Sequence, residues 1–252
     1  MIFVYSRHGQ TSNNKEGIFQ GQRIEGELSE EGKNQARNLG EKVSKIFQFD
    51  EIFCSPINRA KQTLLEILPF QKTKNIKYYD LCKEINRGEF EGKPVKEVNE
   101  YIKKTNIPFR DFKTPDSESY KDVYLRCQQF LQEIIQKYVN KNFTFDKLPE
   151  NKDLVDEKYF EEKFNNGELT STEKINSDNF AKVLLVSHWG YTKELTNLIM
   201  FQLTGHILDR FFIKNCGIFA MKIYCHDCKG KCKDIEKHKK IDISMDYYNH
   251  VL

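Results

Sequence analysis

The sequence contains no hydrophobic run long enough to span a membrane as a helix. Such a helix requires about 20 consecutive apolar residues, and no stretch of the 252-residue chain approaches that length. The first apolar run, Ile2-Phe3-Val4-Tyr5, leads directly into a polar motif, so we expect no cleavable signal peptide. We therefore expect a cytoplasmic protein without a membrane span.

A strong excess of charge of either sign is also missing. The 40 Lys and Arg residues nearly balance the 37 Asp and Glu residues, which gives a net charge of +3 at pH 7. This excess is too small to predict nucleic-acid binding. It remains compatible with a local basic pocket that binds a small polyanion.

The cysteines do not form the even set that is typical of a disulfide-rich secreted domain. All seven are scattered along the chain, which favours reduced thiols in a cytosol-like compartment. Cys225, Cys228, Cys232 and His238 have a spacing that resembles a zinc site, but the usual second Cys-x-x-Cys pair is absent. We interpret this segment as a polar loop and predict neither a metal nor a cofactor.

The sequence does contain a regular alternation of predicted strands and helices. Strands are expected at 2–6, 51–54, 76–79, 182–187, 217–224 and 240–245, and helices at 29–47, from 55, from 94, at 118–138 and near 191–203. This order predicts a three-layer α/β/α fold with a mostly parallel central sheet. Ser55 is expected to cap the helix that Pro56 begins. The polar stretch at about 140–180, predicted to be helical around 159–164, is interpreted as a surface insertion in a single domain that spans 1–252.

Two of the predicted strands lead directly into a histidine. His8 follows the first strand and Arg7, and His188 follows the run Val183 to Ser187. Because the carboxyl ends of parallel strands meet at one edge of a sheet, we expect both histidines in one pocket. A neutral imidazole can attack phosphorus when its other nitrogen is held by an acceptor, so His8 is the candidate nucleophile.

Charged residues elsewhere in the chain match the further needs of phosphoryl transfer. Arg7 and Arg59 can each bind two phosphate oxygens, and Arg59 lies in the first turn of its predicted helix. Glu84 is the candidate general acid, because a bound phosphate beside it favours the protonated carboxyl group. Glu89 and Glu91 are close alternatives.

Seven segments resemble the histidine phosphatase superfamily, in the branch of the cofactor-dependent phosphoglycerate mutases and the fructose-2,6-bisphosphatases. They are RHGQTSNN (7–14), FQGQ with ELSEEGKNQA (19–22, 27–36), FCSPINRAKQT (53–63), EINRGEFEGKP (84–94), ESYKDVYLR (118–126), SHWGYTKEL (187–195) and NCGIFAM (215–221). Within this family the chain is most similar to the fructose-2,6-bisphosphatase-type regulators of glycolysis and apoptosis. That similarity rests on FQGQ, EGKP and the polar insertion before the second histidine.

The resemblance implies a phosphoglycerate mutase-like fold and a role for each matching residue. It implies His8 as the phosphorylated residue, Glu84 as the proton donor, Arg7, Asn14, Arg59 and His188 as the phosphate pocket, and Gln20 and Gly21 along the substrate. From its charge, Arg87 either reaches a second phosphate or is solvated.

Three departures from the family pattern remove no chemical group that the reaction needs. Gln10 stands where many members have Glu, and residues 115–118 replace a Gly-Gly-Glu run. Trp189 follows the second histidine, where a small residue is usual. A ring at this position either narrows the pocket or stacks on a sugar, so it bears on the choice of substrate.

Together these patterns predict a metal-independent phosphatase that acts through a phosphohistidine. Fructose 2,6-bisphosphate is the expected substrate, and the expected partner class is a small phosphorylated sugar or glycerate. The alternatives are a phosphoglycerate mutase or bisphosphoglycerate phosphatase, a protein phosphatase of the same family, and a non-enzymatic docking protein that uses residues 140–180. We expect a monomer or a weak oligomer.

Overall fold

A six-stranded mixed sheet forms the centre of the protein. The computed structural model describes residues 1–24, 26–139, 145, 148–156, 158, 180–208, 212–225 and 241–248. The strands are β1 (Ile2–Arg7), β2 (Glu51–Cys54), β3 (Ile76–Tyr78), β4 (Leu154–Val155), β5 (Lys182–Ser187), β6 (Ile207–Leu208), β7 (Ile218–Cys225) and β8 (Ile241–Tyr248). The main sheet has the order β3-β2-β5-β1-β7-β8, and β4 pairs with β6 in a separate two-stranded sheet. Strands β3, β2, β5 and β1 run parallel to one another. Strand β7 pairs antiparallel with β1, and β8 pairs antiparallel with β7.

Helices cover both faces of this sheet, which confirms the predicted three-layer fold. They are α1 (Ser12–Glu16), α2 (Glu30–Ser44), α3 (Asn58–Ile67), α4 (Val95–Lys104), α5 (Tyr120–Val139) and α6 (Trp189–Thr204). Successive side chains of a strand point to opposite faces. Ile2 and Val4 therefore pack with α2 and α3, whereas Phe3 and Tyr5 pack with α5 and α6.

The long helix α5 shows why the predicted helices form. Its buried residues recur at helical spacing and face the sheet. The Ser119 hydroxyl accepts from the Asp122 amide at 3.2 Å, and the Asp122 carboxylate accepts from the Ser119 amide at 2.9 Å. This reciprocal capping box begins the helix two residues later than predicted.

The start of α3 also differs from the prediction, because Ser55 is not its cap. The cap position is occupied by Ile57, which makes no side-chain hydrogen bond there, and the helix begins at Asn58. The Ser55 hydroxyl instead contacts the His188 ring nitrogen Nε2 at 2.7 Å. The hydroxyl oxygen also accepts from the Ile57 amide at 3.3 Å, so Ser55 stabilises the turn that precedes α3 and joins it to a ring 133 residues away in sequence.

Parallel pairing brings the two histidine-bearing strand ends together. Strands β1 and β5 are adjacent, and Arg7 lies opposite Ser187 in their register. The His8 amide then donates to the Ser187 carbonyl at 2.8 Å. This edge of the sheet is where ligands bind in open α/β sheets.

Much of the 140–180 stretch, including the helix predicted at 159–164, lies outside the described residues. Its described part contains a 3-10 turn, Asn151–Asp153, followed by β4. The single domain over 1–252 stays a prediction. No helix in the described portion is both long enough and apolar enough to pass through a bilayer.

Candidate active site

The imidazole of His8 is held so that one nitrogen presents a lone pair. Its Nδ1 lies 2.7 Å from the Gly9 carbonyl, which can only accept, so Nδ1 carries the proton. The other nitrogen, Nε2, accepts from the Arg59 Nε group at 3.2 Å. Both contacts select the tautomer in which Nε2 is the nucleophilic atom.

Two buried guanidinium groups lie near His8: that of Arg59 contacts Nε2, and that of Arg7 acts on the ring through its charge. Arg59 is 1% exposed and donates to the carbonyls of Gly21 at 2.8 Å and Ile24 at 3.2 Å. Arg7 is 6% exposed and donates to the Ile213 carbonyl at 2.8 Å, while its Nε group has no partner among the described residues. Burial lowers the pKa of both groups to about 10, so both stay charged at neutral pH.

His188 completes this side of the pocket. Its ring centre lies 5.2 Å from that of His8. The Ser55 hydroxyl accepts from the Ile57 amide at 3.3 Å, so its own proton is free to be donated to His188 Nε2. The proton of the neutral ring is then on Nδ1, which is buried and has no partner in the described part of the chain. An anion beside it would accept this proton in a hydrogen bond.

Both histidines are held in the neutral state. Burial, followed by the positive charges of Arg59 and Arg7, lowers the pKa of His8 well below its ordinary value. Burial also lowers the pKa of His188, with further contributions from Arg59, His8 and Arg7. A neutral His8 keeps its lone pair available for attack.

This protonation state predicts that the protein loses stability in mild acid. Below about pH 6.5 the unfolded chain protonates both histidines and the folded chain does not, so the free energy of unfolding falls as the pH falls. Each histidine contributes up to about 1.4 kcal/mol per pH unit in that range. Urea unfolding in phosphate-free buffer between about pH 5.5 and 7.5 measures the slope. The slope of His8→Asn should be smaller than that of the wild type. Equal slopes would show that His8 binds protons equally in the folded and unfolded states and would contradict its lowered pKa.

Glu84 lies on the same side of the sheet, against the first turn of α6. It is 9% exposed, and its Oε1 accepts from the Ile85 amide at 2.9 Å. Its charge counteracts the lowering of the pKa of both Arg7 and Arg59 by burial. A Cβ atom on Gly190 would lie only 2.5 Å from Oε1, so the carboxyl group fits here because residue 190 has no side chain.

The two alternative acids are placed differently. Glu91 accepts from the backbone amides of Gln22, Arg23 and Arg87 at 2.9, 2.7 and 3.1 Å, which ties it to the adjacent loop. Glu89 is exposed. Of the three carboxyl groups, Glu84 is therefore the best placed to donate a proton.

Asn14, Gln20 and Gly21, which the family resemblance assigns to the phosphate pocket and the substrate, are held by local hydrogen bonds. The Asn14 Oδ1 accepts from the Thr11 amide at 3.2 Å and from Asn215 Nδ2 at 3.2 Å, which leaves its own amide nitrogen as a donor. The Gln20 Oε1 accepts from the Thr11 hydroxyl at 3.1 Å. Gly21 adopts a left-handed conformation, with φ +54°, and turns its carbonyl towards Arg59.

A second group of charged and aromatic side chains includes Trp189, the residue that follows His188. We call it the cation–aromatic cluster; it comprises Phe19, Arg87, Tyr120, Trp189 and Lys193. The Arg87 guanidinium lies 4.6 Å from the ring centre of Tyr120 and 4.9 Å from that of Phe19, and it donates to the Tyr120 hydroxyl. The Lys193 ammonium lies 4.5 Å from the same Tyr120 ring and 6.0 Å from Trp189. At 4% exposure Arg87 is buried, which excludes the solvated alternative.

Both cations of the cluster are buried. Lys193 is 1% exposed and lies 3.6 Å from the Glu194 carboxylate, which itself pairs with Arg110 at 2.8 Å. Arg87 forms no salt bridge with any described residue, and its Nε group is buried without a partner there. A buried guanidinium group that has no paired carboxylate among the described residues favours an anionic ligand.

Sequence reasoning missed Ser55, Asn215 and Lys193 as contributors to these sites. Asn215 and Lys193 lie inside NCGIFAM and SHWGYTKEL, two segments that resemble the family. The resemblance therefore pointed to these positions but assigned no role to either residue. Ser55 was assigned to a cap. The interpretation of the cysteine-rich segment as a polar loop without a metal stays a prediction, because Cys228, Cys232 and His238 lie outside the described residues.

Comparison with known proteins gives relatives that are similar in sequence and a solved structure with a similar fold. The fructose-2,6-bisphosphatase TIGAR of Mus musculus is 36% identical over 54% of this chain and 51% of its own length. The Bos taurus protein of the same name is 32% identical over 77% of this chain and 74% of its own length. The chain thus spans about half of the mouse relative. A solved mycobacterial glucosyl-3-phosphoglycerate phosphatase superposes with a TM-score of 0.63 at 18% identity, covering 98% of each chain.

A family model covers the greater part of the sequence that builds the pocket. The model of the histidine phosphatase superfamily, branch 1, matches residues 3–145. That range includes the Arg7-His8 pair, Arg59 and Glu84, whereas His188 lies beyond it and is reached by the bovine relative's longer match. The chain therefore belongs to branch 1 of the histidine phosphatase superfamily.

Proposed function

We propose that this protein is a metal-independent phosphatase that transfers a phosphoryl group to His8 and then to water. The observation that carries the proposal is the state of His8: a neutral ring whose Nε2 lone pair lies 3.2 Å from Arg59 Nε, with a second imidazole ring 5.2 Å away. A nucleophile that is surrounded by fixed positive charge is suited to phosphoryl transfer.

The proposed reaction has two steps. First, His8 Nε2 attacks phosphorus, the N–P bond forms, and the P–O bond to the leaving group breaks while Glu84 donates a proton to the departing oxygen. Arg7, Arg59 and His188 stabilise the equatorial oxygens. Second, the Glu84 carboxylate takes a proton from water, the water oxygen attacks phosphorus, and the N–P bond breaks. His8 regains its lone pair, and inorganic phosphate leaves.

We further propose that the substrate carries a second anionic group, with fructose 2,6-bisphosphate as the preferred compound. The cation–aromatic cluster supports this proposal. Its Trp189 directly follows His188, and the Lys193 ammonium lies 6.0 Å from the Trp189 ring and shares the Tyr120 ring with Arg87. The fructose-2,6-bisphosphatase names of the mouse and bovine relatives agree with this assignment.

A phosphoglycerate is the second candidate, for a reason that the same cluster provides. A guanidinium group binds a carboxylate as well as a phosphate in two-point geometry. A bisphosphoglycerate phosphatase or a mutase would therefore use the same residues. A mutase returns the phosphoryl group to a glycerate, whereas a phosphatase releases it to water.

A substrate panel tests both candidates. Purified protein with a chelator present is assayed for phosphate release from fructose 2,6-bisphosphate, 2,3-bisphosphoglycerate, 4-nitrophenyl phosphate and a phosphoserine peptide. We expect the highest kcat/KM for fructose 2,6-bisphosphate. Arg87→Met should lower that value by about 10- to 100-fold and leave the 4-nitrophenyl value nearly unchanged, since one or two charge-assisted hydrogen bonds are lost at about 1.5–3 kcal/mol each.

The exposed Arg37 provides the matched control, because it pairs with Glu66 on the surface of α2. Arg37→Met should leave all four substrates unaffected. Preference for 2,3-bisphosphoglycerate, with phosphate transfer to a monophosphoglycerate, would assign a mutase. Preference for the peptide would assign a protein phosphatase. A protein that docks through residues 140–180 without catalysis would release no phosphate from any substrate.

A further inference from the structure

Arg126 of α5 holds the loop that carries the candidate acid. Its guanidinium donates to the backbone carbonyls of Leu81 at 2.5 Å, Lys83 at 3.0 Å and Glu84 at 3.3 Å. Its other edge forms a two-point ion pair with Glu118, at 2.7 and 3.0 Å. The segment ESYKDVYLR begins and ends with this pair, and sequence reasoning gave it no role.

Glu118 extends this contact to the other side of the acid. Its Oε2 accepts from the Asn86 amide at 2.8 Å and from Gln22 Nε2 at 3.2 Å. Gln22 Nε2 also donates to the Glu84 carbonyl at 2.7 Å. No strand or regular α-helix includes this loop. The contacts of Arg126, Glu118 and Gln22 therefore hold its backbone on both sides of Glu84.

We propose that the Arg126–Glu118 ion pair positions the Glu84 carboxyl group for proton donation to the leaving oxygen. Guanidinium has five donors in a rigid planar fork, so a single Arg can hold a carboxylate on one edge and several carbonyls on the other. A lysine ammonium has no such geometry. The inference rests on the proposed function, which assigns Glu84 as the acid, and displacement of a reacting group by about 1 Å costs on the order of 100-fold in rate.

The test compares two substrates of the same shape that differ in the basicity of the leaving oxygen. Phenyl phosphate needs a proton at its departing oxygen, whereas 4-nitrophenyl phosphate leaves well without one. The readout is the ratio of their kcat/KM values on one protein sample, because partial unfolding cancels in that ratio. For Arg126→Lys we expect the ratio of phenyl to 4-nitrophenyl phosphate to fall about tenfold, within the range that general acid catalysis supplies.

Three further variants make the result specific. Glu84→Gln removes the acid and shows how far the ratio falls without it. Adding Arg126→Lys to Glu84→Gln should lower the ratio no further. Glu118→Gln should lower the ratio as Arg126→Lys does. Arg110→Lys changes another buried Arg–Glu pair that does not contact the loop, so it should lower stability and leave the ratio unchanged.

Two outcomes would overturn the inference in different ways. If Glu84→Gln lowers the ratio and Arg126→Lys does not, the ion pair has only a structural role and the proposed function stands. If Glu84→Gln itself leaves the ratio unchanged, Glu84 is not the acid, and both the inference and that part of the proposed function fail.

Discussion

Replacing His8 by Asn is expected to lower kcat/KM by about 10⁴-fold or more, because the substitution removes the attacking nitrogen. The Asn amide can occupy the position of Nδ1 and donate to the Gly9 carbonyl as the imidazole does at 2.7 Å. Nothing in Asn replaces Nε2. The loss should therefore concern the chemical step and not the fold, and thermal unfolding of the variant checks this.

Trapping of the intermediate gives the direct measurement. Wild-type protein quenched during turnover of ³²P-labelled substrate should carry label that is stable in base and labile in acid, as expected for a phosphoramidate. His8→Asn should carry none. His206→Asn makes the same change at a histidine that follows α6, outside the pocket, and should be labelled like the wild type. Turnover by His8→Asn at a rate near that of the wild type would exclude the covalent route.

Replacing Arg59 by Lys is expected to lower kcat/KM by about 10²- to 10³-fold, even though the charge is kept. The Arg59 guanidinium contacts the His8 Nε2 atom and the carbonyls of Gly21 and Ile24 simultaneously. A lysine ammonium group lacks the planar geometry that lets Arg59 donate these three hydrogen bonds at once. The transition state would then lose a fixed two-point contact to its equatorial oxygens.

Steady-state kinetics with 4-nitrophenyl phosphate measures this effect without the second anionic group. Arg37→Lys is the matched control, because Arg37 lies on the surface of α2 and its guanidinium pairs with Glu66 at 2.8 Å. That variant should retain wild-type activity. If Arg59→Lys were equally active, the charge alone would matter, and the geometric role of the guanidinium would be wrong.

Much of the fold followed from patterns that are local in sequence. The runs 2–5 and 183–186 are apolar and contain β-branched or aromatic residues, which predicted buried parallel strands. The helical spacing of apolar residues in 120–138 predicted α5 within two residues at each end. These patterns predict structure reliably because each depends only on residues that are close together in the sequence.

The proximity of His8, Arg59 and His188 was expected from the sequence, whereas the contacts within the candidate site were not, and the roles of its residues stay predictions. Arg7, His8, Arg59 and His188 meet as the strand order requires. The environment of Glu84 was not foreseen, because it depends on the missing side chain of Gly190 and on donors from α5. Likewise, nothing local to Arg87 distinguishes a buried guanidinium between two rings from a solvated one.

The sequence by itself determined which chemical groups the chain has and at which strand or helix ends they lie. The tertiary structure decided which nitrogen of each imidazole carries its proton, which carboxyl group faces the arginines, and which cations are buried. The reason is physical: tautomer, pKa and burial depend on atoms within a few ångströms. In this protein those atoms come from segments more than 50 residues apart, such as Arg59 beside His8 and Ser55 beside His188.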